Sequence, residues 1–228
     1  LAIVRMVFYV AGPDWIRGTW VQYTWKILSL MTVFMGSMLA YREKVLKKRL
    51  AYSTVSQISY ILFGLSLLND FGVTGGLLHV VYHACVKVVL FLFAGVVIHQ
   101  TGKTKVSDLR GVGRQMPITV GCFPLGALSL VGIPPFAGFF SKFFVFAAAF
   151  NSGYYLIVFI ALLNTVISLY YYLLIIKAMF ITPNEQPIPT FQNGSAMRVG
   201  LIACVAGILL LGLVSSVYGV LSDTAASF

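Results

Sequence analysis

The stretch Leu77 to Ile98, LLHVVYHACVKVVLFLFAGVVI, constrains this chain more than any other. As a helix rising about 1.5 Å per residue it is long enough to cross the roughly 30 Å hydrocarbon layer of a bilayer. Yet it carries His79, His83 and Lys87. Spaced at i, i+4 and i+8, these three drift only about 80° around a helix and form one polar stripe roughly 12 Å long. Lys87 falls near the middle of the run, where an amine costs at least about 2.5–3.5 kcal/mol on insertion scales, so its presence asks for a functional reason. Two imidazoles stacked towards an amine have the pattern of a proton relay.

The rest of the chain has the same character. It is 59% hydrophobic and 10% charged, against about 25% charged in soluble domains. Its apolar residues come in runs of about 20, which predicts an all-α polytopic membrane protein. The alternating segments of about 10 residues that make outer-membrane barrels are absent. The chain starts at Leu1 inside an apolar run, with no signal peptide and cleavage site. It reads as the C-terminal part of something longer, or as a chain whose beginning is missing. The net charge of +10 raises nucleic acid as a partner, but the basic residues sit in short loops between spans, which argues against it. Cys85, Cys122 and Cys204 lie singly in apolar runs and read as buried structural thiols rather than a metal or redox pair.

Taken in order, residues 1–12 are the end of a truncated transmembrane helix, followed by a polar turn with Gly12, Pro13, Asp14 and Arg17. Spans are expected at Tyr23–Tyr41, Ala51–Leu68 (ending at Asn69 and Asp70) and Thr74–His99. A dense basic loop, Arg42, Lys44, Lys47, Lys48 and Arg49 against Glu43, separates the first two. Lys103, Lys105, Arg110 and Arg114 follow the third. Residues 118–149 are too long for one untilted span and are interrupted by Gly132-Ile133-Pro134-Pro135. Tandem proline removes two backbone donors and disfavours helix at the residue before, so one discontinuous span is expected, Ile118–Val131 and Phe136–Phe150. Broken backbone at membrane depth needs protein or a wet cavity to satisfy it, and broken helices mark transport sites in many carriers. Tyr154–Phe180, a loop at 182–197 and a last span at Val199–Leu221 complete the chain.

Alternating spans put the 42–49, 100–117 and 182–197 loops on one face, which with Lys177 and Arg198 holds eleven basic residues. The other face has Arg17 and Lys26 with Asp14, Asp70 and Asp223. This asymmetry assigns the basic loops, 42–49 and 100–117 above all, to the cytoplasmic or matrix side and the C-terminus to the positive side. It also supports counting 118–149 as one span, since two would swap the sides of everything after it.

The candidate site is a proton pathway of His79, His83, Lys87 and Lys142, with Pro134 and Pro135 breaking the helix. Neutral imidazole passes a proton between its two nitrogens, and a buried amine exchanges its proton. The plainer alternative is hydrogen bonding between helices, with each lysine on a carbonyl. For Lys142, seven residues past the Pro-Pro break and after Gly138 and Ser141, the plainer alternative is snorkelling to the interface. Lys26, beside Trp25 at a span start, reads as an interface anchor; Arg5 is left open. Tyr82 and Cys85 fall off the stripe and read as packing, as do Tyr170, Tyr171 and Tyr172 with Ser168, with helix-to-helix hydrogen bonds as the alternative. Gly111-Val112-Gly113 follows no strand and precedes no GKS/T, so it is not a phosphate loop. No catalytic triad, metal spacing or dinucleotide fingerprint is present. No cofactor is expected in this chain. No carboxylate lies inside a complete span, so any acidic partner must come from elsewhere.

Four segments carry a resemblance, in matching order: LKKRLAYSTVSQISYILFGL (46–65), HVVYHACVKVVLFLFAGVVI (79–98), SDLRGVGRQMPIT (107–119) and LSLVGIPPFAGFFSKFFVF (128–146). They resemble the antiporter-like proton-translocating subunits of respiratory complex I, Mrp-type cation/proton antiporters and membrane-bound hydrogenases. NTVISLYYYLLIIKAMF (164–180) is similar to the following span in one complex I subunit of this kind. The resemblance covers about residues 1–181. It implies two inverted five-helix repeats, each with a broken fourth helix, of which this chain matches the second at 22–181, with 182–197 a loop and 198–228 a C-terminal transmembrane helix and tail. The first repeat, with its glutamate and central lysine, is absent. The resemblance further implies that His79, His83 and Lys87 join a central hydrophilic axis, and that Lys142 releases protons to the positive side. Some members place a carboxylate beside that lysine where this chain has Phe143, so the outward role rests on Lys142 alone.

The expected function is a proton-translocating subunit of a redox-driven pump, with an Mrp-type sodium/proton antiporter subunit and a structural membrane scaffold as alternatives. Whether the chain belongs to an enzyme is left open, since no redox chemistry is expected in it. Expected partners are other membrane subunits of a large hetero-oligomeric complex and lipid, with H+, or Na+ as well, as the transported ion, and no nucleic acid. The expected setting is an energy-converting membrane, a prokaryotic plasma membrane rather than the mitochondrial inner membrane.

Overall fold

In the computed structural model, residues 2–183 and 195–213 are described. The loop expected at 182–197 falls largely outside them, as do Asp223 and the tail of the C-terminal segment. The described residues form helices α1 (Ala2–Arg5), which continues as a π-helix over Met6–Ala11, α2 (Pro13–Ile16), α3 (Trp20–Arg42), α4 (Leu46–Ser66), α5 (Asp70–Thr101), α6 (Val112–Gln115), α7 (Pro117–Val131), α8 (Ala137–Asn151), α9 (Tyr155–Phe180) and α10 (Ser195–Leu213). No strand occurs among the described residues.

Two boundaries differ from the sequence expectation, each for a local reason. The basic loop 42–49 is mostly helix, because α4 begins at Leu46. Arg49, expected in that loop, is buried and donates from Nε to the Glu43 carbonyl at 2.8 Å. A cation there sits on the carbonyl end of α3, where the helix dipole favours it. Asn69 and Asp70, expected to end the second span, instead begin the third. Asn69 is the N-cap of α5, its Oδ1 accepting from Gly72 N at 2.8 Å, and Asp70 lies in the first turn.

α5 is the central helix, packed against α4, α7, α8 and α10. Its buried face includes Leu78, Tyr82, Val86, Val89, Leu90 and Phe93. α3 closes on α4 where Gly36 meets the Ser56 backbone: a Cβ there would lie 2.8 Å from Ser56 N. The outer face of α3 exposes Ile27, Leu28, Met31, Phe34 and Met35, while its inner face buries Gln22, Lys26 and Ser29. α9 likewise exposes Leu156, Phe159, Leu162 and Leu163 and buries Asn164 and Ser168. Large apolar side chains outside and polar ones inside invert the pattern of a water-soluble protein and suit a lipid surround.

The helices alternate in direction. The segments after α3 and α5 meet at one end, where Val45 pairs with Lys105, Leu46 N donates to Thr104 O at 2.9 Å and Val106 N donates to Lys44 O at 3.0 Å. Both basic loops therefore share an end. The starts of α3 and α5 and the end of α8 meet at the other, around Arg17, Asn69 and Ser152. α7 and α8 together thus make one crossing.

Candidate functional site

The break between α7 and α8 organises the site. Gly132 ends α7 with φ +96°, a backbone shape that side chains resist. Its N–H reaches back to Leu128 O and Ser129 O, and Ile133 N also donates to Leu128 O. That leaves Leu130 O and Val131 O without a continuing helix. Lys142, from the first turns of α8, donates its Nζ to both, at 2.9 and 3.0 Å. Tyr82 OH donates to Ser129 O at 2.8 Å. Each of the last four carbonyls of α7 has a donor, and the cation lies at the negative end of a half-helix, worth up to about 2 kcal/mol in partly buried geometry.

This rejects the snorkelling alternative for Lys142, which is only 4% exposed and turned inwards. It also corrects the reading of Tyr82 as packing. Tyr82 lies off the polar stripe, yet its hydroxyl bridges α5 to the break, and its ring meets His79 edge-on at 5.0 Å. Close approach is possible because residue 138 is glycine: a Cβ there would stand 1.9 Å from Ser129 O and 2.5 Å from Tyr82 OH. α10 closes over the same region, with Gly212 against the Pro135–Ala137 backbone. Pro134 and Pro135 occupy the break itself.

His79, His83 and Lys87 lie on one buried face of α5. The imidazoles stack at 6.0 Å with planes 11° apart. His79 Nδ1 lies 2.9 Å from Ser141 Oγ, and Ser141 donates to Gly138 O at 3.2 Å. If Ser141 uses its one proton on that carbonyl, His79 Nδ1 carries the hydrogen and Nε2 is the free acceptor. Neither His79 Nε2 nor His83 Nε2 has a hydrogen-bond partner among the described residues. Lys87 Nζ donates to Leu50 O at 3.0 Å and to Ser53 Oγ, which also accepts from Tyr172 OH at 2.9 Å.

α4 supplies the facing row. Ser53 stands level with Lys87. Seven residues on, Tyr60 stands level with Lys142, whose Nζ lies 5.0 Å over the Tyr60 ring. Between them Gln57 is fully buried, and neither its Nε2 nor its Oε1 has a partner. Tyr60 OH donates to Ala161 O and accepts from Asn164 Nδ2, each at 3.0 Å. The structure thus buries all four titratable candidates, Lys87 with Ser53 and Tyr172, the stacked His83 and His79 with Ser141, and Lys142 over Tyr60 with Asn164.

Ser53, Gln57, Tyr60, Ser129 and Asn164 were not singled out from sequence, and Tyr172 was weighed as packing. Ser53, Gln57 and Tyr60 share the helical spacing i, i+4, i+7 inside an apolar run, the one signal available for them. Lys26 also differs from its reading as an interface anchor: it is buried, and its Nζ donates to Tyr154 OH at 2.7 Å. Arg5 is exposed. Cys122 is buried and Cys85 and Cys204 half-buried, all as free thiols. No Asp or Glu is buried among the described residues.

The family described as NADH:quinone oxidoreductase/Mrp antiporter, transmembrane, matches residues 1–168. The chain belongs to this family. It is 46% identical over 200 residues to NADH-quinone oxidoreductase subunit N of Phocaeicola vulgatus, a match covering 87% of this chain and 42% of that protein. Among solved structures, it is similar to a chain of the Mrp complex from a Dietzia species, with TM-score 0.87, 25% identity, and 99% of this chain matched to 50% of that one. It is also similar to a chain of the membrane-bound sulfane sulfur reductase, an archaeal respiratory membrane complex, with TM-score 0.85, 27% identity, and 99% matched to 45%. The chain spans about two fifths of the length of the curated relatives it matches. As a member of this antiporter-like family it is an integral membrane protein built wholly of helices among the described residues, and its relatives are subunits of multi-subunit membrane complexes.

Proposed function

We propose that this chain is the proton-conducting half of a membrane subunit in a redox-driven pump, and that its partners are the other membrane subunits of that complex. Lys87 holds a proton centrally, His83 and His79 relay it, and Lys142 releases it outwards. The observation that carries this reading is the burial of these residues beside one another. Four titratable side chains are brought together by α5 and α8, and nitrogens of His79, His83 and Gln57 are buried there without a hydrogen-bond partner among the described residues. Unpaired buried polar atoms are where bridging water stabilises a structure, and water between them completes a path for protons. Two ammonium groups in a poorly screened interior repel, so a proton arriving at Lys87 favours loss of one from Lys142.

The match to an NADH-quinone oxidoreductase subunit supports a redox driver. The redox cofactors then lie in other chains, and this one holds none. The likeness to the Mrp complex chain supports the second reading, a sodium/proton antiporter subunit in which the same residues work from an ion gradient. The basic end faces the cytoplasm of a prokaryotic plasma membrane under either reading.

The test uses inverted membrane vesicles carrying the assembled complex, with electron transfer and proton uptake measured together. Lys87→Gln and Lys142→Gln each lower protons moved per electron, and the pair abolishes this chain's share. Full pumping with both replaced leaves only the scaffold reading. Proton movement driven by a sodium gradient without a reductant moves the assignment to the antiporter.

A further inference from the structure

The end of the molecule opposite the basic loops holds an open polar vestibule of about 520 Å³. Its lining comes from the turn before α3, the α4–α5 connection and the α8–α9 connection, with Arg17, Gln22, Asn69, Asp70 and Ser152 among the residues that form it. At its floor lies Lys26, 3% exposed, its Nζ 2.7 Å from Tyr154 OH and 4.3 Å over the same ring. The vestibule is held open by side chains spent on backbone. Gln22 Nε2 donates to Ser66 O and Arg17 Nη2 to Leu68 O, both at 2.9 Å.

Below Lys26 the buried face of α3 continues through Ser29 to Val33. Lys26 and Val33 are seven residues apart, hence on one face and about 10 Å along the axis. Val33 packs in one small cluster with Tyr60, Ala161 and Phe146. Tyr60 is the residue whose ring lies under the Lys142 ammonium. Along α3 this apolar cluster therefore lies between the chamber floor at Lys26 and Tyr60, over which Lys142 sits. At that layer Asn164 Oδ1 is buried without a partner.

We propose that this chamber is the outward outlet of the chain, with Lys26 the group that receives the proton and Val33, Phe146 and Ala161 the dry layer that wets when it passes. The proposal rests on the proton-path reading above. A proton leaving the Lys142 ammonium leaves a neutral amine there; Lys26 passes one of its protons to vestibule water and takes the arriving proton in its place, with Asp70 at the rim as the nearby carboxylate. The hydrogen bond to Tyr154 OH uses one N–H of Lys26 and holds its nitrogen at the chamber floor during this step.

The experiment compares Lys26→Gln, Lys26→Arg and Lys142→Gln in the assembled complex, reading protons moved per electron in inverted vesicles. Lys26→Gln lowers the ratio several-fold, and Lys26→Arg keeps a larger share of it than Gln. A full ratio in Lys26→Gln beside a blocked Lys142→Gln overturns the outlet and leaves the central path standing. Full ratios in both overturn the two together. Arg failing as badly as Gln overturns the outlet in favour of a latch between α3 and Tyr154. Should Lys26→Gln not assemble, Ser29→Cys decides, placed in a chain whose three native cysteines are replaced. A membrane-impermeant thiol reagent that reacts from the vestibule end and stops pumping supports the outlet; a cysteine inert from that end overturns it.

Discussion

Lys87 and Lys142 are both held by backbone carbonyls, but of different kinds. Lys87 binds Leu50 O in the first turns of α4, a carbonyl also sought by Ser53 Oγ and Thr54 Oγ1. Lys142 binds two carbonyls at a helix end, which have no competing helical donor. The second arrangement ties the charge on Lys142 to the shape of the break. Gly138 is what lets the two halves approach. Gly138→Ala is expected to destabilise the protein by about 1–3 kcal/mol through overpacking, seen as a lower thermal midpoint in detergent, and to reduce pumping with it. Tyr82→Phe keeps the packing and removes only the hydroxyl on Ser129 O, a loss of about 0.5–1.5 kcal/mol. Its midpoint is expected to fall by less than that of Gly138→Ala.

At the scale of elements, the break was legible because its cause is local: tandem proline stops a helix whatever surrounds it. The polar stripe was legible because three residues at helical spacing share a face in any helix. The start of α4 was not, because Arg49 looks like a loop charge until α3 brings the Glu43 carbonyl to it. The joint between α3 and α4 has its own acid dependence. Glu43 lies outside the span, and its carboxylate accepts from Val45 N and Lys44 N, each at 2.9 Å. The Val45 hydrogen bond, above all, holds its pKa below the usual 4.5; burial is next in size and opposes it, and Lys44 N, Lys48 and Arg49 add to the lowering. A carboxylate with a lowered folded pKa adds order that is fully present above its unfolded value and is lost as pH falls through the folded one. The Lys44 and Val45 amides are therefore expected to stay protected from hydrogen exchange at pH 6 and to lose protection well below about pH 4.5 relative to Glu43→Gln, after correction for intrinsic exchange.

At the scale of the whole molecule, α3 and α9 turn large apolar side chains outwards towards lipid, so close contact between helices and hydrogen bonds across them matter beside the buried apolar core. The α3–α4 contact at Gly36 is one such close approach, with Ser56 N 2.8 Å from an added Cβ. Gly36→Leu is expected to pry α3 from α4 and reduce assembly into the parent complex, measured on a native gel, while a leucine in place of exposed Met31 leaves assembly unchanged.

From sequence alone came the class of protein, the break at the tandem proline, the meeting of the 42–49 and 100–117 segments at one end and the identity of the four titratable candidates. Each depends on composition or on spacing within one helix, and those act over a few residues. Only the tertiary structure decided that Tyr82 serves the break, that Ser53, Gln57 and Tyr60 face the stripe, and that Lys26 lines a chamber instead of anchoring in headgroups. Those outcomes depend on which helices are neighbours and at what depth their side chains meet. A single helix carries no record of the backbone that another will bring against it.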